Sequence, residues 1–239
     1  MAFIAYKMVP IWTIFNKGTI NMNKHQKIRD LVLFSVLVAI IIVMSFTPLG
    51  YIKTFGLEIT LLVIPVVIGA INLGPKYGAL LGLTFGLSSF FQCFGFSAFG
   101  TALFGINPWF TAFVCIVPRL LMGFLVGVIF KVLNKLVKHD IVSHIIACVS
   151  GALLNTVLFM TAFCLFFYNT EFVQGFRDSL GSTNAFMFVI LFVGINGLVE
   201  LIVNFVIGAV VSKSLYYVFN QRKQREELKD QETDTDSEN

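Results

Sequence analysis

The sequence predicts an all-α integral membrane protein of six transmembrane helices, with both termini in the cytoplasm. Three observations lead there. Hydrophobic residues make up 57% of the 239-residue chain and charged residues only 13%, against about 25% charged in a soluble domain. The mean hydropathy is +0.85. Apolar runs of spanning length recur, separated by short segments that hold most of the lysines and arginines. A chain with so few charges cannot cover a water-facing surface. A nucleic-acid binder is excluded as well, because the net charge of +4 is spread over several loops and forms no single patch.

A spanning helix needs about 20 apolar residues at 1.5 Å rise. The first span is Leu31–Thr47, stopped by the turn signal Thr47-Pro48-Leu49-Gly50. The second runs over Leu57–Leu73 and ends at Gly74-Pro75-Lys76; the third covers Tyr77–Gln92. Cys93–Trp109 is uncharged but interrupted by Gly95, Gly100, Gly105 and Pro108, and is expected as a loop. The fourth span is Thr111–Val132, the fifth Val142–Tyr168, and the sixth Asn184–Val211, long enough to tilt. No alternating ten-residue pattern supports a barrel.

Orientation follows from the basic residues. Lys7, Lys17, Lys24, Lys27 and Arg29 lie in the N-terminal arm, Lys76 in the second-third turn, and Lys131, Lys135 and Lys138 in the fourth-fifth loop. Lys213, Arg222, Lys223, Arg225 and Lys229 lie in the tail. These fourteen fall on one side, against Lys53 and Arg177 on the other. The expected organisation is a cytoplasmic arm over 1–26, a membrane domain over 27–219, and a charged, disordered tail over 220–239. The arm is too broken to span a bilayer, and Met22 opens a more familiar start, Met-Asn-Lys-His-Gln-Lys, before the first long apolar run; translation is expected to begin there.

No chemistry of the common kinds is encoded. No two of Cys93, Cys115, Cys148 and Cys164 lie within four residues of one another. They read as small core hydrophobes and not as a metal knuckle, a redox pair or a disulfide. Ser88 and Ser89 have no evident base, and no zinc motif or nucleophile elbow occurs. With no phosphate loop in the chain, ATP-driven transport would need an ATPase on another chain.

Polar residues inside apolar spans carry the functional expectation, because they are costly in lipid. Arg119 lies eight residues into the fourth span, about 12 Å along it, and follows Pro118, which frees a backbone carbonyl in the preceding turn. Asn196, Glu200 and Asn204 share one helical face by their spacing of four. Asn155 and Thr156 lie near the middle of the fifth span. These groups are expected either to form an internal ion pair, Arg119 with Glu200, or to line a polar pocket open to the outside, and the two readings are compatible. Such a pocket suits a small polar anion, since Arg119 offers a planar fork to a carboxylate and the amides bond hydroxyl or amide groups. Gln92, at the outer end of the third span, is a further pocket candidate. The aromatic, Gly-rich loops Thr47–Phe55 and Gln92–Trp109 read as caps over it or as interfacial anchors. Gly74, Gly78, Gly82 and Gly86 make a narrow stripe on which another backbone packs, within the fold or from a second subunit. Ser35 and Ala39 are a small pair on the otherwise bulky first span, fit to seat another helix.

Taken in order, these segments resemble the substrate-binding S components of energy-coupling factor (ECF) transporters. The resemblance spans Lys27 to Lys213. It rests on Ile64-Pro65-Val66-Val67-Ile68-Gly69-Ala70, Leu73-Gly74-Pro75-Lys76-Tyr77-Gly78-Ala79, Pro118-Arg119, Asn155-Thr156 and Asn196-Gly197-Leu198-Val199-Glu200. It implies a bundle of six helices in the bacterial cell membrane that captures a vitamin from outside. It also implies partners, a transmembrane coupling subunit and two cytoplasmic ATPase subunits, so that ATP is used there and this chain holds no cofactor and has no enzymatic activity. The family's Ala-x-x-x-Ala docking motif reads Ser35-x-x-x-Ala39 here. The Leu-Gly-Pro-Lys-Tyr-Gly turn with Pro118-Arg119 and Asn-Gly-x-x-Glu resembles the pantothenate-type members most. Riboflavin is the alternative, although Phe55-Gly56-Leu57-Glu58 matches the acidic-aromatic entry of riboflavin-type members poorly; folate, an autonomous permease and an intramembrane enzyme are the further ones.

Overall fold

A computed structural model describes residues 24–47, 50–53, 58–136, 140–182, 184 and 186–194. The expectations for the N-terminal arm, the start at Met22, the charged tail and most of the sixth span lie outside these residues. Helix α1 spans Lys24–Ser45. A two-stranded antiparallel hairpin follows, β1 (Tyr51–Lys53) with β2 (Glu58–Thr60), in the register Tyr51 to Thr60, Ile52 to Ile59 and Lys53 to Glu58. Then come α2 (Val63–Leu73), α3 (Pro75–Gln92), α4 (Ala98–Ile106), α5 (Pro108–Leu136), α6 (Asp140–Phe167) and α7 (Glu171–Ser179). Residues 186–194 are helical and open the sixth span.

The fold is the expected helical one, with two local differences. The second span is not one helix. Its first residues pair with Tyr51–Lys53 as a strand, and the Leu61 amide bonds to the Gly50 carbonyl at 3.0 Å. The 11-residue α2 is then about 16 Å long, half the hydrocarbon thickness. Pro65 fits within its first turn, where an amide hydrogen has no helical acceptor anyway. Gly74 ends it with φ 95°, a left-handed conformation that glycine takes without cost, so that Pro75 can open α3 at once. The second difference is in 93–109, where Ala98–Ile106 is helical. Ser97 starts α4 by accepting a hydrogen bond from the Gly100 amide at 3.2 Å.

Three described stretches are long and apolar enough to cross a membrane: Gln26–Ser45, Pro108–Leu136 and Ser143–Phe167. Helix α3 packs most closely on α5. The glycine stripe is the reason, and it works within the fold. A Cβ at Gly78 would collide with the Gly123 carbonyl, one at Gly82 with the Arg119 carbonyl, and one at Gly86 would sit 2.8 Å from the Ile116 Cα. Gly127 returns the fit against Pro75, at 2.6 Å from its Cα. Two apolar clusters flank this seam. One joins Leu37 and Ile41 of α1 to Val66 and Ala70 of α2, Leu81 and Phe85 of α3, and Met122 and Val126 of α5. The other joins Leu103 of α4 and Val114 of α5 to Met160, Phe163 and Phe167 of α6, Val173 of α7, and Phe188 and Phe192. The short α7 is amphipathic: Glu171 lies in its first turn, Arg177 in its last, and Val173 is buried.

Candidate functional site

Between the two clusters, at the end of the bundle remote from Lys76 and Lys131, lies a cavity of about 110 Å³. Its polar wall carries Gln92, Arg119, Asn155 and Thr156, and its apolar wall Phe99, Leu103, Val114, Phe159 and Met160. The sequence candidates Gln92, Arg119 and Asn155 thus meet in one space from three helices, α3, α5 and α6. Asn196 and Glu200 lie outside the described residues. Val193, three positions before Asn196, lines the cavity.

Arg119 is 6% exposed, and the backbone explains how a cation is held there. Pro118 has no amide hydrogen, so the carbonyl four residues earlier, at Val114, loses its helical donor. Arg119 Nη1 donates to that oxygen at 2.7 Å. The guanidinium carbon lies 4.6 Å from the centroid of the Phe159 ring and 5.4 Å from that of Phe85, within cation–π range. Two aromatic rings and one carbonyl therefore fix the plane of the fork. Its Nε is buried with no hydrogen-bond partner among the described residues, and no carboxylate there pairs with it. A buried guanidinium is stable only when its charge and donors are met, which calls for an acceptor group, a ligand's or that of Glu200, the ion-pair partner expected from the sequence, which lies outside the described residues.

Gln92 is buried and donates through Nε2 to the Ser45 carbonyl at the end of α1. The Ser45 and Ser88 hydroxyls bond at 2.8 Å, tying α1 to α3 just below the cavity. Gln92 thus presents its remaining amide groups from a fixed position. Asn155 is buried on α6, and the Thr156 hydroxyl donates to the Ala152 carbonyl at 3.2 Å.

The loops read as caps contribute Tyr51 and Thr60 from the hairpin, and Ser97, Phe99, Gly100 and Leu103 from α4. Ser89, which has no catalytic partner in sequence, also lines the space. Sequence reasoning did not find Tyr51, Thr60, Ser97 or Phe159 individually, because each reaches the cavity through long-range packing. It also read the cysteines as separate. The structure brings Cys93 and Cys115, 22 positions apart, to an Sγ–Sγ distance of 3.8 Å on the cavity wall. Among the described residues no cluster of three metal-ligating side chains occurs. Ser35 and Ala39 are away from the cavity, both exposed on α1.

Residues 29–212 match the family described as "ECF transporter, substrate-specific component". A pantothenic acid transporter, PanT, of Lactococcus lactis subsp. cremoris is 33% identical over 160 residues, covering 62% of this chain and 78% of that protein. A pantothenate transporter, PanT, of Leuconostoc mesenteroides is 34% identical over 112 residues, covering 45% of this chain and 53% of that one. The fold matches the crystal structure of the S-component for biotin from an ECF-type ABC transporter, with a TM-score of 0.52 at 18% identity, covering 81% of this chain and 95% of that one. The chain belongs to the ECF transporter substrate-specific component family: it is a multi-pass protein of the bacterial membrane, a transport component and not an enzyme.

Proposed function

We propose that this chain is the pantothenate-binding component of its transporter. One observation carries the reading: Arg119 is a buried, geometrically fixed cation on a cavity whose other polar groups are amides and hydroxyls. Pantothenate offers a carboxylate for the guanidinium fork, and an amide and two hydroxyls for Gln92, Asn155 and Thr156. The relatives that carry pantothenate in their names support the same ligand. Asn196 and Glu200 complete the set in this proposal. In sequence, Asn196 lies three positions after the cavity-lining Val193, and Glu200 four positions after Asn196.

The basic end of the bundle faces the cytoplasm in this reading, so the cavity receives its ligand from outside, beneath the hairpin and α4. The exposed Ser35 and Ala39 of α1 seat a transmembrane coupling subunit. Two ATPase subunits on the cytoplasmic side supply the energy, and this chain needs no cofactor. The test is calorimetric titration of the purified protein with pantothenate, riboflavin and folate. Saturable one-to-one binding of pantothenate alone is expected. Tight binding of riboflavin or folate, with none of pantothenate, overturns the ligand.

A further inference from the structure

We propose that Cys93 and Cys115 form a peroxide-reactive dithiol, a modification site whose closure to a disulfide weakens ligand binding in the cavity. The two sulfurs lie 3.8 Å apart, both residues are buried, and both line the cavity. A disulfide needs a sulfur separation of about 2.05 Å, so closure requires a movement of under 2 Å. The chain around Cys93 can supply it. Cys93 is the residue that ends α3, and Gly95, two positions on, has φ 122° with nothing within 4 Å of its missing side chain. Cys115 stays in place inside α5, one turn before Arg119.

The step balances with hydrogen peroxide, a small uncharged oxidant suited to an apolar-walled cavity. One sulfur attacks the peroxide, its S–O bond forms as the O–O bond breaks, and the cysteine becomes a sulfenic acid as water leaves. The second sulfur attacks that sulfenic sulfur, the S–S bond forms, and a second water leaves. Two thiols and one peroxide become one disulfide and two waters.

The consequence for binding follows from what rests on Cys93. A Cβ at Gly100 would sit 2.8 Å from the Cys93 sulfur, so the first turn of α4 is seated on that atom. Drawing it toward Cys115 removes the seat of Ser97, Phe99 and Gly100, which line the cavity. It also pulls on Gln92, the neighbouring residue, which lines the same cavity.

The effect on binding rests on the ligand reading above; the closure does not. The purified full-length protein is reduced, treated with hydrogen peroxide, and divided between peptide mapping by mass spectrometry and pantothenate titration. A Cys93–Cys115 cross-linked peptide, 2 Da lighter than its reduced parts, is expected, with an affinity loss of about tenfold or more that dithiothreitol reverses. Cys93→Ser and Cys115→Ser, with Cys93→Ala and Cys115→Ala as alternatives that avoid a new hydroxyl, should each abolish the response to peroxide relative to the same untreated variant. Mapping separates this pair from Cys148 and Cys164. Thiols that stay reduced, thiols that oxidise without cross-linking, or a cross-link with unchanged affinity overturn the proposal. A cross-link in a protein that binds no pantothenate even when reduced supports the dithiol and overturns the ligand instead.

Discussion

Arg119 occupies the carbonyl that its own neighbour releases: its Nη1 donates to the Val114 oxygen at 2.7 Å, the acceptor that Pro118 leaves without a helical donor. Sequence and site are joined at this bond. The proline creates an acceptor inside an apolar helix, and the next residue uses one of its five donors to meet it. The rest of the fork is left for the cavity, clamped between Phe85 and Phe159.

Removing the cation tests its role. Arg119→Ala is expected to weaken pantothenate binding by about 2–5 kcal/mol, the usual loss when one partner of a buried charge pair is truncated. Arg119→Lys should recover only part of this, because an ammonium cannot form the planar fork. Calorimetry on the well-folded variants measures both: unchanged affinity in Arg119→Ala would remove Arg119 from the site, and full affinity in Arg119→Lys would show that the planar fork is not needed.

The Pro118 relation makes a less obvious prediction. Pro118→Ala restores an amide hydrogen to the Val114 carbonyl, which then competes with Arg119 for the same oxygen. The helix should become more stable, since proline in a helix interior costs about 3 kcal/mol. Binding should weaken as the guanidinium loses its anchor, by about 1.5–3 kcal/mol, the worth of a hydrogen bond to a charged group. A raised melting temperature with reduced affinity is the expected pair of results. Raised stability with full affinity would mean that the bond does not orient the fork.

Close packing of α3 on α5 sets the position of Arg119 relative to α3. A Cβ at Gly82 collides with the Arg119 carbonyl itself. Gly82→Ala is expected to lower stability by about 1–3 kcal/mol, as overpacking does, and to displace the guanidinium from its site. Thermal unfolding in detergent and ligand titration should fall together. Gly105→Ala, at a position with nothing within 4 Å, serves as the neutral control.

In the proposed reading, helix α1 separates capture from transport. Ala39→Trp places a large ring on an exposed face away from the cavity, so pantothenate binding should persist while uptake by cells with the full transporter is lost. Continued uptake would show that α1 is not the docking face.

Much of this was legible in the sequence because lipid makes certain residues expensive. Arg119, Asn155 and Gln92 stand out as polar groups in apolar spans, and they meet in one cavity. The four-residue glycine period announced a close helix pair, and Gly78, Gly82 and Gly86 form it with α5. Other features carried no local signal. Ile59 and Thr60 continue an apolar run, and only pairing with Tyr51 and Ile52 makes them a strand. The glycines of 93–109 obscured α4, whose start depends on the Ser97 cap. Cys93 and Cys115 belong to different helices, and their contact exists only once α3 and α5 pack.

In the proposed reading, the Arg119 cavity binds pantothenate. Its most direct test is to purify the protein in mild detergent, denature it, and identify the released small molecules by mass spectrometry. Pantothenate is expected in near one-to-one amount with the chain, and is expected to be lost from the Arg119→Ala variant. A flavin, a folate or another vitamin in that amount, with no pantothenate, would contradict it.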